Sequence, residues 1–255
     1  AYLRNVSSGV RRYSPSGRIE VPQTIPNLDI WFRADTVTLD INGRVSTWNN
    51  KGLKGPSQDA SQGNINLRPL YDSSTASFNG QPTLRFDSDG IVRKELLGTG
   101  YTASAPFEIW AILRVDNDPA LSPATSGAFV LGGAGSLALL NYPWTDGIIY
   151  DSNLRASSFY TTVNPTPTLA ATRLYTVTSD NTTWQNYLDG TLLSTKTAVF
   201  GFPDGTKQFY IGTSTSAFMM VGNIAEICVY NKTLNSTERL ALKTYFSTRY
   251  GITIA

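Results

Sequence analysis

The segment GNIAEICVYNKTLNSTERLALKTYFSTRYG, residues 222–251, carries the clearest local pattern in the chain. Its first part, 223–230, is rich in Ile, Val and Tyr and is typical of a strand. Asn235 stands three residues before Glu238, which is the spacing of a capping box at the start of a helix. Gly251 follows at the position where a left-handed residue commonly ends a helix. We therefore predict a strand followed by one C-terminal helix.

Upstream of this segment, runs with alternating or β-branched residues predict a series of short strands. In the run 107–115, Phe107 falls on one face and Trp110 on the other, so both faces of this strand are expected to be covered. The pair Asp189-Gly190 lies between two alternating runs and predicts a tight hairpin, because Gly accepts the positive φ that the turn demands. Further strands are predicted at 28–33, 44–48, 83–86, 129–131, 137–140, 147–150, 174–178 and 209–211, whereas 49–82 is predicted to be mostly loop.

These patterns predict an all-β fold, an antiparallel β-sandwich with one short C-terminal helix and an extended N-terminal arm. Residues 1–26 form the predicted arm, where several prolines disfavour a helix, and residues 27–255 form a single domain. Four arginines make the arm basic: Arg4, Arg11, Arg12 and Arg18. The arm is therefore either a segment that docks on an acidic neighbour or a solvated tail.

Four segments share a known family pattern and occur in its order along the chain. They are DIWFRAD (29–35, followed by Trp48), QPTLRFD (81–87), YLDG (187–190) and GNIAEICVYNKTL (222–234). Over residues 27–252 the chain thus resembles the laminin-G-like, concanavalin A-like lectin jelly rolls. The resemblance implies a jelly-roll sandwich of the kind found in bacterial surface proteins and phage virions and beside glycosidases. Most members of that family bind glycans or proteins.

The composition argues against several kinds of catalysis. The chain contains no histidine, which excludes Ser-His-Asp and Cys-His triads and His-ligated zinc. The only cysteine, Cys228, lies in an apolar strand and is interpreted as a buried, inert thiol. A glycosidase needs two carboxylates roughly 5–10 Å apart, but no glutamate has an acidic partner at the spacing of the related glycanases. Glu226 is interpreted as structural, and the sequence predicts that the protein is not an enzyme.

Charge and hydropathy limit the partners. A net charge of +2 is too small to argue for nucleic acid. The most apolar region, 128–140, is short and interrupted by glycines, so no membrane span is predicted. The resemblance implies that the partner is a surface glycan or a neighbouring structural protein, with the chain acting as a homo-oligomer or as part of a larger assembly.

Two groups of residues are candidates for binding sites. In the loop 141–146, Trp144 could stack on a sugar ring while Asn141 and Asp146 hydrogen-bond its hydroxyls, with Tyr142 beside them; alternatively, Trp144 folds back onto the sandwich. Asp87 and Asp89 form a partial calcium site, although aspartates in turns often bond only their own backbone. No other cofactor is expected.

The sequence leaves three functional hypotheses open. The first is a non-enzymatic binding module on a cell or virion exterior that recognises glycans or attaches to a host. The second is a structural protein, a virion decoration or fibre component that uses the arm for assembly. The third is a glycoside hydrolase.

Overall fold

The computed structural model describes residues 21–87, 94–99, 101, 106–122, 127–130, 140–152, 159–161, 164–180, 182–197, 209–215 and 218–255. The helices in these ranges are α1 (Val21–Thr24) and α2 (Ser236–Tyr250), with short 3₁₀ helices at Gly55–Gln58, Ile65–Leu67 and Ala76–Phe78. The strands are β1 (Leu28–Arg33), β2 (Val37–Leu39), β3 (Val45–Trp48), β4 (Ala60–Ser61), β5 (Leu70–Thr75), β6 (Gln81–Phe86), β7 (Leu96–Gly98), β8 (Phe107–Val115), β9 (Phe129–Val130), β10 (Leu140–Asn141), β11 (Tyr150–Ser152), β12 (Phe159–Thr161), β13 (Arg173–Ser179), β14 (Thr183–Leu188), β15 (Thr191–Thr197), β16 (Phe209–Ile211), β17 (Thr213–Thr215), β18 (Phe218–Met219) and β19 (Gly222–Tyr230).

Two antiparallel sheets form the sandwich. The large sheet has the strand order β15-β14-β13-β8-β19-β6-β5, and β1 pairs with β19 beyond the end of β6. The second sheet has the order β2-β3-β4-β7-β16-β9. Two smaller sheets, β10-β11-β12 and β17-β18, complete the described part of the chain. The predicted all-β sandwich with a C-terminal helix is therefore confirmed.

The central strand β8 buries both of its faces. Its residues Ile109 and Leu113 enter the core between the two sheets, where they join Trp48 and other large side chains of the second sheet. Trp110 points the opposite way, and its ring stacks on Phe246 of α2 at a centroid distance of 6.1 Å. This arrangement confirms the expectation that both faces of β8 are covered. It follows from the period of two along a strand, which sends successive side chains to opposite faces.

Local signals in the sequence place the turns and the caps correctly. Asp189 and Gly190 both have positive φ, 48° and 81°, between β14 and β15, as a two-residue hairpin of the primed type requires. At the start of α2, the Asn235 side chain accepts a hydrogen bond from the Glu238 backbone N–H at 2.9 Å, and the Glu238 carboxylate accepts one from the Asn235 backbone N–H at 2.9 Å. Gly251 ends the helix with φ 65°.

Two sequence predictions need correction. The arm was expected to be extended through residue 26, but α1 lies within that range and Pro22 is buried in it. Proline is tolerated in the first turn of a helix because the missing N–H has no partner there. The Tyr230 hydroxyl donates to the Pro22 carbonyl at 3.1 Å, so the packed body begins no later than Val21. The region 49–82 contains β5, a polar strand at the edge of the large sheet that has no alternation to reveal it.

A buried carboxylate joins α2 to the large sheet. Glu226 of β19 is fully buried and accepts hydrogen bonds from the Trp31 indole N–H of β1 at 2.6 Å and from the Tyr250 hydroxyl of α2 at 2.6 Å. The Tyr245 hydroxyl donates at 3.1 Å, and the Arg249 Nε lies 3.7 Å from the carboxylate. Burial raises the pKa of Glu226 above its ordinary value, against the lowering effect of Arg249 and the hydrogen bonds. These contacts agree with the interpretation of Glu226 as structural.

A second carboxylate repeats this arrangement on the neighbouring strand. Glu108 of β8 is fully buried and accepts hydrogen bonds from the Arg239 guanidinium of α2 at 2.5 and 3.0 Å. It also accepts from the Leu234 backbone N–H at 2.9 Å and from the Trp110 indole N–H at 3.0 Å. Together, the two glutamates fix both halves of α2 on the large sheet.

Replacing Glu226 with alanine should lower the free energy of unfolding by about 3–5 kcal/mol, because Arg249, two buried donors and the half-buried Tyr245 hydroxyl lose their acceptor. Urea unfolding followed by tryptophan fluorescence measures the change. Glu238→Ala is the matched control in the same region; it removes a capping carboxylate near the surface and should cost only about 1 kcal/mol. Equal losses for the two variants would contradict the role of Glu226.

Candidate functional site

The loop before β11 is built around a tight turn. The Trp144 backbone N–H donates to the Ile148 carbonyl at 2.8 Å, and the Gly147 N–H donates back to the Trp144 carbonyl at 3.1 Å. Gly147 has φ 79°, which favours glycine. The Ile148 N–H donates to the Asp146 carboxylate at 2.9 Å. Residues 147–149 belong to this turn and to the segment that leaves it. The strand predicted at 147–150 therefore begins only at Tyr150.

Three aromatic rings meet beside this turn, two from the turn segment itself and one from a distant part of the chain. The half-buried Trp144 lies 5.4 Å from Phe218 of β18 and 5.9 Å from Tyr150 of β11, measured between ring centroids. Asp146 is exposed and accepts a hydrogen bond from the Tyr150 hydroxyl at 2.7 Å, which raises the pKa of Tyr150. We call Trp144, Tyr150, Phe218 and Asp146 the aromatic patch.

Two residues of this loop that were predicted to contact a glycan are buried and lie outside the aromatic patch. Asn141 is 2% exposed and Tyr142 is 0% exposed. The Tyr142 ring packs edge-on against Tyr175 of the large sheet at 5.6 Å. Neither side chain therefore presents a surface to a ligand, because the loop turns outward only after them. Of the four predicted residues, Trp144 and Asp146 remain in the candidate site. Tyr150 and Phe218 were not predicted, and no sequence signal connects Phe218 to a loop more than seventy residues earlier.

A buried acidic network anchors the patch to the sandwich. Asp151 of β11 adjoins Tyr150 in the chain and is buried against the large sheet. Its carboxylate accepts hydrogen bonds from the Tyr175 hydroxyl of β13 at 2.9 Å and from the Asn186 amide of β14 at 3.0 Å. Burial raises the pKa of Asp151 to about 7, against these hydrogen bonds, which lower it. The strand that carries part of the patch is thus attached to a rigid support.

The predicted calcium site and the basic arm receive no structural test. Asp87 is half-buried at the end of β6, but Asp89 and the arginines of the arm, Arg4, Arg11, Arg12 and Arg18, lie outside the described residues. Across the part of the chain that the structure describes, no cluster of three or more Cys, Asp or Glu side chains is suited to hold a metal ion. Calcium binding at Asp87 and Asp89 stays a prediction.

The family model named concanavalin A-like lectin/glucanases superfamily matches residues 99–238, which is more than half of the chain. The chain belongs to this superfamily. The match includes the aromatic loop and most of the large sheet, and it confirms the resemblance read from the sequence motifs. No curated protein sequence matches the chain significantly. Among the described residues of this superfamily member, no helix has the length and apolar character needed to cross a membrane.

Solved structures share the fold at low sequence identity. Domain 4 of AbnA, a GH43 extracellular arabinanase from Geobacillus stearothermophilus solved with arabinotriose, aligns with a TM-score of 0.58 and 14% identity over 88% of this chain and 98% of that domain. The binding domain of Paraclostridial Mosquitocidal Protein 1 aligns with a TM-score of 0.61 and 12% identity over 90% of this chain and 53% of its own. Trypanosoma rangeli sialidase in complex with sialic acid aligns with a TM-score of 0.50 and 17% identity over 88% of this chain and 33% of its own. The chain thus spans about half and a third of the latter two proteins, and these similarities show the fold alone.

The Asp151 network should make stability depend on pH. The pKa of the Asp151 carboxyl is about 7 in the folded protein, against an ordinary value of 3.8 for the unfolded chain. The folded state therefore binds this proton more tightly. The free energy of unfolding should then fall as pH rises from about 4 to about 7, by at most about 1.4 kcal/mol per pH unit. Asp151→Asn should remove this part of the slope, measured as the change in Tm between pH 5 and pH 8.

Asp180→Asn is the matched control for this experiment. Asp180 is exposed, and hydrogen bonds from Thr182 and Thr183 hold its pKa below the ordinary range. It stays largely ionised between pH 5 and pH 8 in both states, so its variant should keep the slope of the unmodified protein. A slope that survives in Asp151→Asn would show that other groups cause the pH dependence.

Proposed function

We propose that this protein is a non-enzymatic binding module that recognises a glycan through the aromatic patch. The observation that carries the proposal is the joining of Trp144, Tyr150 and Phe218 beside the exposed Asp146 carboxylate. Sites for small ligands combine aromatic surface with a few placed polar groups, and this loop has both.

The parts of the patch suit different parts of a sugar. The half-buried Trp144 ring offers an apolar surface on which the C–H face of a pyranose or furanose ring can pack. Asp146 has one carboxylate oxygen bonded to Tyr150 and one to the Ile148 N–H. Since an ionised carboxylate has about four acceptor positions, it retains acceptors for sugar hydroxyls. The turn and the Asp151 network hold these groups in place before a ligand arrives, which lowers the entropy cost of binding.

The comparisons support a carbohydrate ligand. The superfamily is named for lectins and glucanases, and one domain of the same fold has been solved in complex with arabinotriose. A non-catalytic role is supported by the burial of two glutamates and by their hydrogen bonds. Glu108 and Glu226 are both enclosed and bonded to α2, and a glycosidase needs two carboxylates that reach the substrate.

The site of action that we propose is the exterior of a cell or of a virion, where glycans are displayed. The alternative that the chain is a structural component of such an assembly rests on the basic arm, and the alternative of a hydrolase rests on the superfamily name. Glycan binding without turnover would separate the proposed function from both.

Trp144→Ala should reduce glycan binding roughly fivefold or more, since it removes an aromatic contact worth on the order of 1 kcal/mol or more. A glycan array probed with both proteins identifies the ligand, and isothermal titration with that ligand measures the change. Leu240→Ala, which removes an exposed apolar side chain of α2, is the control and should bind normally. Absence of binding by the unmodified protein, or equal binding by the Trp144 variant, would count against the proposal.

A further inference from the structure

A recess lies on the outer face of the large sheet, opposite the core, where α2 leaves part of that face uncovered. It has a cavity volume of about 60 Å³, which exceeds the roughly 10–15 Å³ needed for one water molecule. We call it the helix cleft. Its lining comes from β8, β13, β14 and α2, and the main residues are Trp110, Thr176, Thr178, Tyr187, Arg239 and Lys243.

The floor of the helix cleft contains a buried hydroxyl without a partner. Along β13, Tyr175 and Val177 enter the core between the sheets, so Thr176 and Thr178 face outward toward the cleft. Thr176 is 2% exposed, and its Oγ1 has no hydrogen-bond partner among the described residues. A buried polar atom in this state costs about 1–3 kcal/mol. A ligand hydroxyl that reaches Oγ1 from the cleft would supply the missing partner.

Two cations of α2 stand above this floor with unused donors. Arg239 contacts Glu108 through Nε and Nη2 only, and its Nη1 has no partner within the described ranges. Lys243 Nζ donates to the backbone oxygen of Ala255 at 2.5 Å, which leaves other donors of the ammonium group, since it has three. Among the described residues, Glu108 behind the lining is the side-chain carboxylate paired with these cations, so the three side chains together carry a net charge of about +1. One negative charge on a ligand would balance it.

The remaining walls are apolar. The Trp110 indole and the half-buried Tyr187 ring line the cleft, and the Tyr187 hydroxyl donates away to Gln185 at 2.8 Å. A ligand that fits these walls has one anionic end, at least one hydroxyl near that end and a small apolar surface.

We propose that the helix cleft binds a small hydroxylated monocarboxylate, with its carboxylate held by Arg239 and Lys243 and a hydroxyl paired with Thr176. Uronic acids and simple hydroxy acids share this chemistry. The site is separate from the aromatic patch and does not depend on the glycan-binding function proposed for it.

Isothermal titration of the full chain tests the proposal with four probes: glucuronate, lactate, glucose and acetate. At least one of the two hydroxylated acids should bind at least roughly tenfold more tightly than glucose, which lacks the charge-assisted hydrogen bond, and roughly fivefold more tightly than acetate, which lacks the neutral one. Preference for glucuronate identifies a sugar acid, and preference for lactate identifies a hydroxy acid. Binding of neither acid, or equal binding of glucose, overturns the proposal.

Thr176→Val separates a binding role from a structural one. It removes the hydroxyl at nearly constant volume, so binding should weaken roughly tenfold, while Tm should stay the same or rise because an unpaired buried polar atom is lost. Lys243→Met should weaken binding similarly. The controls are Thr197→Val, at an exposed position at the end of β15, and Lys54→Met, on an exposed lysine remote from α2 in the chain. Normal binding by both cleft variants overturns the proposal.

Trp144→Ala distinguishes this site from the aromatic patch. The variant should bind the hydroxylated acid as tightly as the unmodified protein. Loss of acid binding in Trp144→Ala would place the ligand in the patch and overturn the assignment to the helix cleft, whereas failure of the glycan array alone would leave the acid titration intact.

Discussion

The buried carboxylate of Glu226 is the interaction on which the arrangement of the domain depends. It brings together β1, β19 and α2, which lie at the two ends of the described chain, through the indole of Trp31, two tyrosine hydroxyls and Arg249. A charge removed from water is tolerated only when its hydrogen-bonding capacity is filled. Each of these donors must therefore be in place together, which ties the helix to one position on the large sheet.

The position of α2 decides which surfaces of the large sheet remain open. The inner face is filled by the core that it shares with the second sheet, and α2 covers the outer face over β8 and β19. Beyond the helix, β13 and β14 direct threonine and tyrosine side chains instead of apolar ones toward this face, and the helix cleft forms at this boundary. The cations above the cleft belong to the same helix that Glu108 and Glu226 hold, so these two carboxylates also fix the position of the cations.

The aromatic patch differs from the helix cleft because it is made of loops and short strands attached to the sandwich. Binding residues commonly lie on loops that a rigid scaffold positions. Here the attachment is the Asp151 network, which connects β11 to β13 and β14. The jelly-roll scaffold is shared with an arabinanase domain, the binding domain of a mosquitocidal protein and a sialidase. Such a scaffold does not itself specify a ligand. Under the function proposed above, the specificity of this chain comes from these attached residues.

The sequence alone determined the features that depend on neighbouring residues. The capping box at Asn235, the hairpin at Asp189-Gly190 and the two-sided burial of β8 follow from short-range spacing, and the family pattern follows from motifs of the same length. The tertiary structure decided which strands became neighbours. Only it placed Phe218 beside Trp144, enclosed Asn141 and Tyr142, and set Thr176 beneath the cations of α2. The physical reason is that alternation along a strand specifies the face of the sheet on which each side chain lies. The packing of the sheets and α2 determines which residues that face contacts.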